Sequence, residues 1–152
     1  MLRIREVNIA DQTVRETLYA LIAQCFDAED WSGGTLPTPQ TGYWWLAFQD
    51  GVPVAFAGLV PSVRWQDTGV LSIAGVLPAA RGSGLQKKLI RKRIEKCKAL
   101  GWHTIITDTI NTNAASMRSL MACGFKPYNP KVQWADKDSS VYWKRATEFT
   151  RA

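Results

Sequence analysis

The first third of the chain alternates between apolar and polar residues in ways that predict regular elements. Residues 2–7 carry apolar side chains separated by polar ones, which is typical of a half-buried strand. Apolar residues then recur at helical spacing over 14–22 and predict a helix. Residues 32–42 are rich in Gly, Pro and Thr, so a loop is expected there.

A hairpin and a buried strand are predicted next. Residues 43–49 and 53–63 read as two strands joined by the turn at Asp50-Gly51. A second turn at 67–69 leads into 70–76, an uncharged run of strand length. Uncharged runs of this kind are typical of a strand buried on both faces, so 70–76 is predicted to lie at the centre of a sheet.

The second half of the chain returns to helical spacing. Residues 85–101 place apolar side chains on one face and predict an amphipathic helix that ends near Gly101. A strand is predicted over 104–109 and a short helix over 113–123, with Gly124-Phe125 as its stop and as the entry to a further strand. The last strands are expected at 132–134 and 141–143. The sum is a mixed α/β domain with a strand, a glycine turn, a helix and a strand at its centre.

Composition limits the class of protein. The chain has 152 residues, of which 46% are hydrophobic and 21% charged, so one folded domain over 1–152 is expected. The longest uncharged stretch, 31–49, is broken by Gly and Pro, and no secretory signal begins the sequence. We therefore expect a cytoplasmic protein with no membrane partner. Three cysteines without metal-ligand spacing argue against a disulfide framework or a metal site.

The positive charge is concentrated in one segment. The chain carries a net charge of +6, whereas residues 81–98 alone hold eight basic residues and one acidic residue. A solvated helix face and a phosphate-attracting face are equally open interpretations. Nucleic acid is not the expected partner, because neither zinc-finger spacing nor a basic-zipper heptad accompanies the charge.

The turn before the basic helix has the composition of a phosphate-binding loop. Gly82 and Gly84 remove the Cβ atoms that would block close approach, while Ser83 and Arg81 add polar donors. Backbone N–H groups at a helix N-terminus favour an anion such as a pyrophosphate. ATP and NAD are disfavoured, because the turn lacks the Gly-Lys-Ser/Thr ending and the third glycine of their fingerprints.

Two motifs in this order resemble the GNAT superfamily of N-acetyltransferases. Residues 76–86, Val-Leu-Pro-Ala-Ala-Arg-Gly-Ser-Gly-Leu-Gln, resemble its acetyl-CoA motif, in which a strand ending Val-x-Pro leads into Gln/Arg-x-x-Gly-x-Gly/Ala. Residues 113–125 resemble its second block, Asn-x-x-Ser/Ala followed by Gly-Phe. The similarity covers 71–125 clearly, and the order of elements elsewhere agrees with the family's fold.

The resemblance implies the fold and the reaction. The fold would be a central mixed, mostly antiparallel sheet flanked by helices, with a splayed pair of central strands. An amine would attack the thioester of acetyl-CoA, and the tetrahedral intermediate would collapse with loss of the CoA thiolate; no metal is implied. The chain would thus be an acyltransferase that acetylates a primary amine on a small molecule or a protein.

The resemblance also implies which residues bind acetyl-CoA. The backbone of Ala74 and Val76 would hold the pantetheine arm, and one of their N–H groups would stabilise the oxyanion. Asn113 would bind the pantetheine side, and Ser116 would lie near the sulfur. The remaining cofactor residues would be those of the glycine turn and the helix start, namely Arg81, Gly82, Ser83, Gly84, Leu85 and Gln86.

The sequence departs from the family pattern at two positions. Gln86 replaces the last Gly/Ala of the first motif, which is tolerated if its side chain points away from the phosphates. Leu120 stands where many members carry the tyrosine that protonates the thiolate. Ser116 is the candidate general acid in its place, with a bound water or no dedicated acid as alternatives.

The general base is chosen among acidic residues. Asp108, at the end of a strand, is the first candidate and Asp67 the second. For each of them a structural role is the alternative. His103, the one histidine in the chain, falls at the start of a strand and is interpreted as structural.

The acceptor site is expected where the family usually builds it, after the first helix. Asp27, Glu29 and Asp30 there could attract a cationic amine, although a solvated acidic loop explains them equally. The candidate aromatic walls, for which burial in the sheet is the alternative, are Trp31, Trp44, Trp45 and Trp65.

The sequence leaves the identity of the acceptor and a homodimer open. Two other functions are also kept: a non-catalytic acyl-CoA-binding domain, which the missing tyrosine would suit, and a basic nucleic-acid-binding module.

Overall fold

The computed structural model describes residues 1–135 and 140–147, which form a mixed sheet and three α-helices. The strands are β1 (Leu2–Val7), β2 (Tyr43–Gln49), β3 (Val52–Pro61), β4 (Thr68–Val76), β5 (Thr104–Ile110), β6 (Lys126–Tyr128) and β7 (Ser140–Ala146), and the helices are α1 (Gln12–Cys25), α2 (Leu85–Ala99) and α3 (Ala114–Ala122). The strand order is β1-β2-β3-β4-β5-β7-β6. Strands β4 and β5 are parallel, whereas β1–β2, β2–β3, β5–β7 and β6–β7 are antiparallel. The predicted fold class is confirmed.

The parallel ladder between β4 and β5 is short. Its residue pairs run from Thr68–Thr104 to Val70–Ile106, although β4 continues to Val76. At the next residue of β4, the Thr107 hydroxyl donates to the Leu71 carbonyl at 3.1 Å, so a side chain occupies that acceptor. A ladder of this length is what a splayed pair of central strands requires.

The chain divides into two compact units. The first unit comprises Met1–Val60 and Ser72–Leu85, and the second comprises Pro61–Leu71 and the chain from Gln86 onward. Strand β4 therefore begins in the second unit and ends in the first.

The core of the first unit lies between α1 and strands β2 and β3. Helix α1 begins after Asp11, whose carboxylate accepts from the Thr13 N–H at 2.8 Å and caps the first turn. The helix presents one apolar face to the strands. The buried cluster consists of Ile9, Leu18, Leu21, Ile22, Trp44, Leu46 and Phe56.

The second unit buries one face of α2. Leu89, Ile90 and Cys97 are at most 1% exposed and lie on the apolar face that the sequence pattern predicts. The helix ends where the Trp102 N–H donates to the Cys97 carbonyl at 2.9 Å. The C-terminal end of helix α3 is capped by a side chain of β7, because Arg145 Nε donates to the Cys123 carbonyl at 2.9 Å.

One predicted strand and one predicted turn boundary are wrong. Residues 132–134 form no strand. The strand entry predicted at Gly124-Phe125 is confirmed, since β6 begins at Lys126 and pairs with β7. The Trp134 ring packs on the Tyr142 ring at 5.2 Å and its Nε1 donates to the Tyr128 hydroxyl, so this segment covers the hairpin rather than extending it. The turn expected at 67–69 ends at Asp67, because Thr68 and Gly69 already pair with β5.

No helix within the described residues is long and apolar enough to cross a bilayer.

The buried thiol of Cys97 makes stability fall at alkaline pH. Burial raises the pKa of Cys97 from its ordinary value of 9.0 to about 12, with the Arg93 guanidinium opposing part of the rise. Below about pH 9, the pKa of the thiol in the unfolded chain, the thiol is protonated in both the folded and the unfolded chain. Its contribution to the free energy of unfolding is therefore fully present there. Between about 9 and 12 the unfolded chain loses this proton first, and stability falls by up to about 1.4 kcal/mol per pH unit.

Urea unfolding measured from neutral to strongly alkaline pH checks this expectation. The slope of unfolding free energy against pH should become shallower in Cys97→Ala than in the unsubstituted chain. Equal slopes in the two proteins would contradict the assignment.

Candidate active site

The glycine turn before α2 leaves open space above its backbone. Gly82 and Gly84 have φ values of +85° and +76°, which side chains other than glycine rarely adopt. A Cβ built on either residue would meet no atom within 4 Å. The first turn of α2 carries no acidic residue, so its N–H dipoles are not neutralised from within the helix. These features together form a cradle for an anion.

The polar side chains of the turn hold the turn itself. Arg81 Nε donates to the Val76 carbonyl at 3.0 Å, and the Ser83 hydroxyl donates to the Ala80 carbonyl at 2.9 Å. The sequence had assigned both donors to the phosphate. In the described residues the N–H groups of Gly82, Ser83 and Gly84 have no hydrogen-bond partner, so the backbone supplies the donors of the turn that remain for a ligand.

The end of β4 presents the backbone groups that the resemblance assigns to the pantetheine arm. The Leu77 N–H donates to the Val54 carbonyl of β3 at 2.9 Å. Because backbone groups alternate along a strand, those of Ala74 and Val76 point away from β3. The Val76 carbonyl accepts from Arg81, which leaves its N–H as the donor of that residue.

Gly75 is a packing position. A Cβ at residue 75 would lie 2.9 Å from Cys25 Sγ and 2.9 Å from Phe56 Cε1, so the last turn of α1 packs directly on β4. Burial raises the pKa of the Cys25 thiol, while the Arg81 guanidinium opposes the rise.

Aromatic rings surround this position in the first unit. Phe26 lies edge-on to Trp31 at 5.9 Å and to Phe56 at 6.4 Å. The segment that follows is fastened to α1, because the Tyr19 hydroxyl donates to the Pro39 carbonyl at 2.8 Å. The half-buried Trp31 is thus the predicted aromatic wall that the structure brings beside α1.

The other predicted aromatic walls lie elsewhere. Trp44 and Trp45 are 1% and 4% exposed and are buried in the sheet, because both lie within the buried stretch of β2, residues 44–47. Trp65 lies in the turn between β3 and β4. The acidic residues after α1, namely Asp27, Glu29 and Asp30, are exposed.

In the second unit, Asn113 and Ser116 meet at the start of α3. Asn113 is the N-cap, and its Oδ1 accepts from the Ser116 N–H at 3.1 Å. The amide group of Asn113 therefore has its oxygen engaged in the cap, which orients its Nδ2 donor. Leu120, at the position of the family's tyrosine, is 4% exposed and lies on the buried face of α3.

Asp108 is held at the end of β5. The carboxylate is half-buried, and its Oδ2 accepts from the Ser140 hydroxyl of β7 at 3.1 Å. A fixed, partly buried carboxylate is suited to accept a proton from a substrate.

Asp67 and His103 lie at the opposite end of the strands. The Asp67 carbonyl accepts from the N–H groups of His103 and Thr104, at 2.7 Å and 3.3 Å, and so closes the chain at the start of β4. At about 3.3 Å per residue, Asp67 is about 23 Å along the strand from Ala74, which argues against it as the base. His103 contributes its backbone N–H to this closure.

Sequence reasoning missed Cys25 and Ser140. Both act through contacts between residues far apart in the chain, Cys25 with Gly75 and Ser140 with Asp108. Neither residue stands in a motif, so no local signal could have found them.

Comparison with known proteins gives one family and one fold. The family model described as "Acetyltransferase (GNAT) family" matches residues 7–125. A search of curated proteins finds no match.

Solved structures match along nearly the whole chain. The ribosomal-protein-S18-alanine N-acetyltransferase of Escherichia coli has a TM-score of 0.74 at 15% identity, with 99% of this chain and 97% of that chain covered. A GNAT-family acetyltransferase of Streptococcus pneumoniae has a TM-score of 0.76 at 18% identity, covering 97% and 100%. A proposed acetyltransferase of Salmonella typhimurium, solved with its cofactor acetyl-CoA, has a TM-score of 0.68 at 18% identity, covering 99% and 96%. At these identities the likeness concerns the fold.

Proposed function

This chain belongs to the GNAT acetyltransferase family, whose acyl donor is acetyl-CoA, and we propose that it moves the acetyl group directly to a primary amine. The observation that carries the proposal is the open glycine turn at the start of α2. Two glycines with positive φ, N–H groups without a protein acceptor and an uncompensated helix dipole fit a diphosphate. The β2–β3 turn at Gly51 is equally open but precedes no helix, so the N-terminus of α2 is what distinguishes the glycine turn.

The cofactor residues are proposed on that basis. Gly82, Ser83 and Gly84 bind the diphosphate through their N–H groups. Arg81 supports the turn through the Val76 carbonyl. Leu85 and Gln86 contribute the N–H groups of the first turn of α2. Ala74 and Val76 offer backbone groups to the pantetheine arm.

The remaining residues are assigned to the same cofactor by the order of the two family motifs along the chain. Asn113 offers its Nδ2 donor to the pantetheine side, and Ser116 lies one turn further along α3. We further propose that residues 1–152 work as one acetyltransferase domain.

When bound, acetyl-CoA supplies an acetyl thioester whose leaving group is a thiolate. An N–H of Ala74 or Val76 donates a hydrogen bond to the thioester oxygen and stabilises the charge that develops there. Asp108 removes a proton from the ammonium form of the acceptor, and Ser116 gives a proton to the departing sulfur.

Thiol release from acetyl-CoA in the presence of an amine panel tests the proposal. The panel contains simple alkylamines, polyamines, amino acids and lysine peptides. Because the Escherichia coli neighbour is named for an alanine of ribosomal protein S18, peptides with a free alanine amine are included. Acceptor-dependent release supports the proposal. Binding of acetyl-CoA without release from any amine supports the non-catalytic alternative, and absence of binding overturns the assignment of the turn.

Asn113 offers a pair of variants that separate capping from cofactor binding. Asn113→Ala should lower the unfolding free energy by about 1 kcal/mol, whereas Asn113→Asp should keep the cap and the stability. Both variants should bind acetyl-CoA more weakly, because both lack the Nδ2 donor. Thermal unfolding and calorimetric titration measure the two effects. Unchanged affinity in Asn113→Asp would remove Asn113 from the cofactor site.

Asp108 and Ser116 are tested by turnover. Asp108→Asn should lower kcat/KM by about 100-fold or more, and Ser116→Ala should lower kcat while the acetyl-CoA affinity stays nearly unchanged. Asp67→Asn is the matched control, since Asn tolerates the positive φ of 50° at that position. A similar loss in Asp67→Asn and Asp108→Asn would contradict the choice of base. An unchanged rate in Ser116→Ala would exclude Ser116 as the acid.

A further inference from the structure

The two units of the chain differ in charge. The first unit contains four basic and seven acidic residues, whereas the second contains fifteen basic and six acidic residues. The net charge of the second unit is therefore +9, which exceeds the +6 of the whole chain. A surface with this excess attracts polyanions.

The exposed face of α2 carries the densest part of this charge. We call its exposed cations the basic stripe: Lys88, Arg91, Lys92 and Lys98. At 3.6 residues per turn they fall within a sector of about 120° and extend over about 15 Å. The one acidic residue of the sector, Glu95, is exposed and lies 3.9 Å from Lys92, a separation and exposure that give a weak ion pair.

An exposed aromatic turn lies beyond the C-terminal end of α2. Val63 is 100% exposed and Trp65 is 38% exposed in the β3–β4 turn. The turn is ordered by Ser62, whose hydroxyl oxygen accepts from the N–H groups of Arg64 and Trp65 at 3.2 Å and 3.1 Å.

The turn between β3 and β4 is hydrogen-bonded to the segment between α2 and β5. The Asp67 carbonyl accepts from the N–H groups of His103 and Thr104, which follow closely after the last residue of α2, Ala99. The end of the basic stripe and the Trp65 turn therefore belong to the same end of the second unit.

We propose that the basic stripe and the Trp65 turn bind single-stranded nucleic acid without sequence preference. Cations repeated along one helix face match the regularly spaced phosphates of a strand. An exposed tryptophan at the same end of the unit offers a stacking surface to an unpaired base, which an acidic protein segment would not use. The lack of a DNA-reading motif agrees with binding that ignores sequence.

This surface is independent of the proposed acetyl transfer. Arg91, Lys92 and Lys98 lie beyond the first turn of α2, and none of the residues proposed for acetyl-CoA belongs to the basic stripe.

Fluorescence anisotropy with a labelled oligothymidylate of about 20 nucleotides tests the proposal. Binding should weaken steeply between about 50 and 200 mM salt, with a logarithmic slope near −0.7 per phosphate contacted. Arg91→Glu/Lys98→Glu should weaken binding by at least about tenfold and lower this slope. Trp65→Ala should weaken binding by at least about fivefold.

The matched control is Lys126→Glu/Lys131→Glu, which changes the net charge equally at two exposed positions of the same unit. The milder pair Arg91→Gln/Lys98→Gln keeps the test valid if charge reversal prevents folding. An equal loss in the control would mean that net charge alone drives binding and would overturn the proposal.

Competitors define the ligand class. Added CoA should not displace the oligonucleotide, and displacement would show that it occupies the cofactor turn. Displacement by poly-glutamate at equal charge concentration would favour an acidic protein partner and overturn the proposal. The proposal would also be overturned if a duplex bound more tightly than the single strand and Trp65→Ala had no effect. Absence of binding at low salt would overturn it as well.

Discussion

Gly84→Asp is expected to weaken acetyl-CoA binding by at least about 100-fold, a loss of about 2.8 kcal/mol in binding free energy. The position of a Cβ at residue 84 is open, so the carboxylate would point into the space proposed for the diphosphate. Two like charges about 4 Å apart repel by about 4 kcal/mol at an effective dielectric constant near 20. Isothermal titration with acetyl-CoA measures the loss.

Two variants separate this repulsion from backbone strain. Gly84→Asn places a side chain of the same shape at the same φ without the charge, so it should retain much more affinity than Gly84→Asp. Gly51→Asp introduces the same charge at a φ of +82°, also with no atom near the added Cβ, but in the β2–β3 turn. Its acetyl-CoA affinity should be unchanged. If Gly84→Asp bound acetyl-CoA as tightly as Gly51→Asp, the diphosphate would lie elsewhere.

The helices and most strands could be predicted because local pattern and burial agree there. The apolar spacing of 14–22 and 85–101 corresponds to α1 and α2, whose apolar faces are buried as the period requires. The sequence also predicted the glycine turn, because two glycines between a strand and a helix leave few other conformations.

The strand predicted at 132–134 was wrong because the alternation Val-Gln-Trp does not determine which partner the apolar residues pack against. The Trp134 ring lies edge-on to the Tyr142 ring and its Nε1 donates to the Tyr128 hydroxyl, so this side chain covers the β6–β7 hairpin. The β-propensity of such residues reflects packing on a pleated surface, which a covering loop can satisfy as well as a strand.

The supporting contacts of the candidate site could not be predicted, because each joins residues that the sequence separates. Nothing near Gly75 indicates that Cys25 and Phe56 fill the space of its absent Cβ. Arg81 looked like a phosphate ligand because cations pair with anions, yet its Nε donates to a carbonyl of the preceding strand. A motif identifies which residues are present, whereas the partner of each donor depends on the folded backbone.

Trp44→Ala is expected to lower the free energy of unfolding by about 3–5 kcal/mol, a large part of the stability of an ordinary domain. The ring is 1% exposed and its Nε1 donates to the Thr41 carbonyl at 2.7 Å. Removing it leaves a cavity in the core of the first unit and an acceptor without its donor. Trp65→Ala, at a tryptophan that is 38% exposed, should cost about 1 kcal/mol or less and serves as the control.

Gly58 provides the second half of a double-mutant cycle with Trp44. The two residues are directly opposite in the β2–β3 ladder, and a Cβ at residue 58 would lie 2.4 Å from Cη2 of the indole. Gly58→Ala alone should therefore cost about 1–3 kcal/mol, because the hydrogen bond to Thr41 prevents the ring from moving aside. In the Trp44→Ala background the added methyl group has room, so the same substitution should cost at least about 1 kcal/mol less. Urea unfolding of the four proteins measures the coupling, and costs that simply add would mean that the ring does not lie over Gly58.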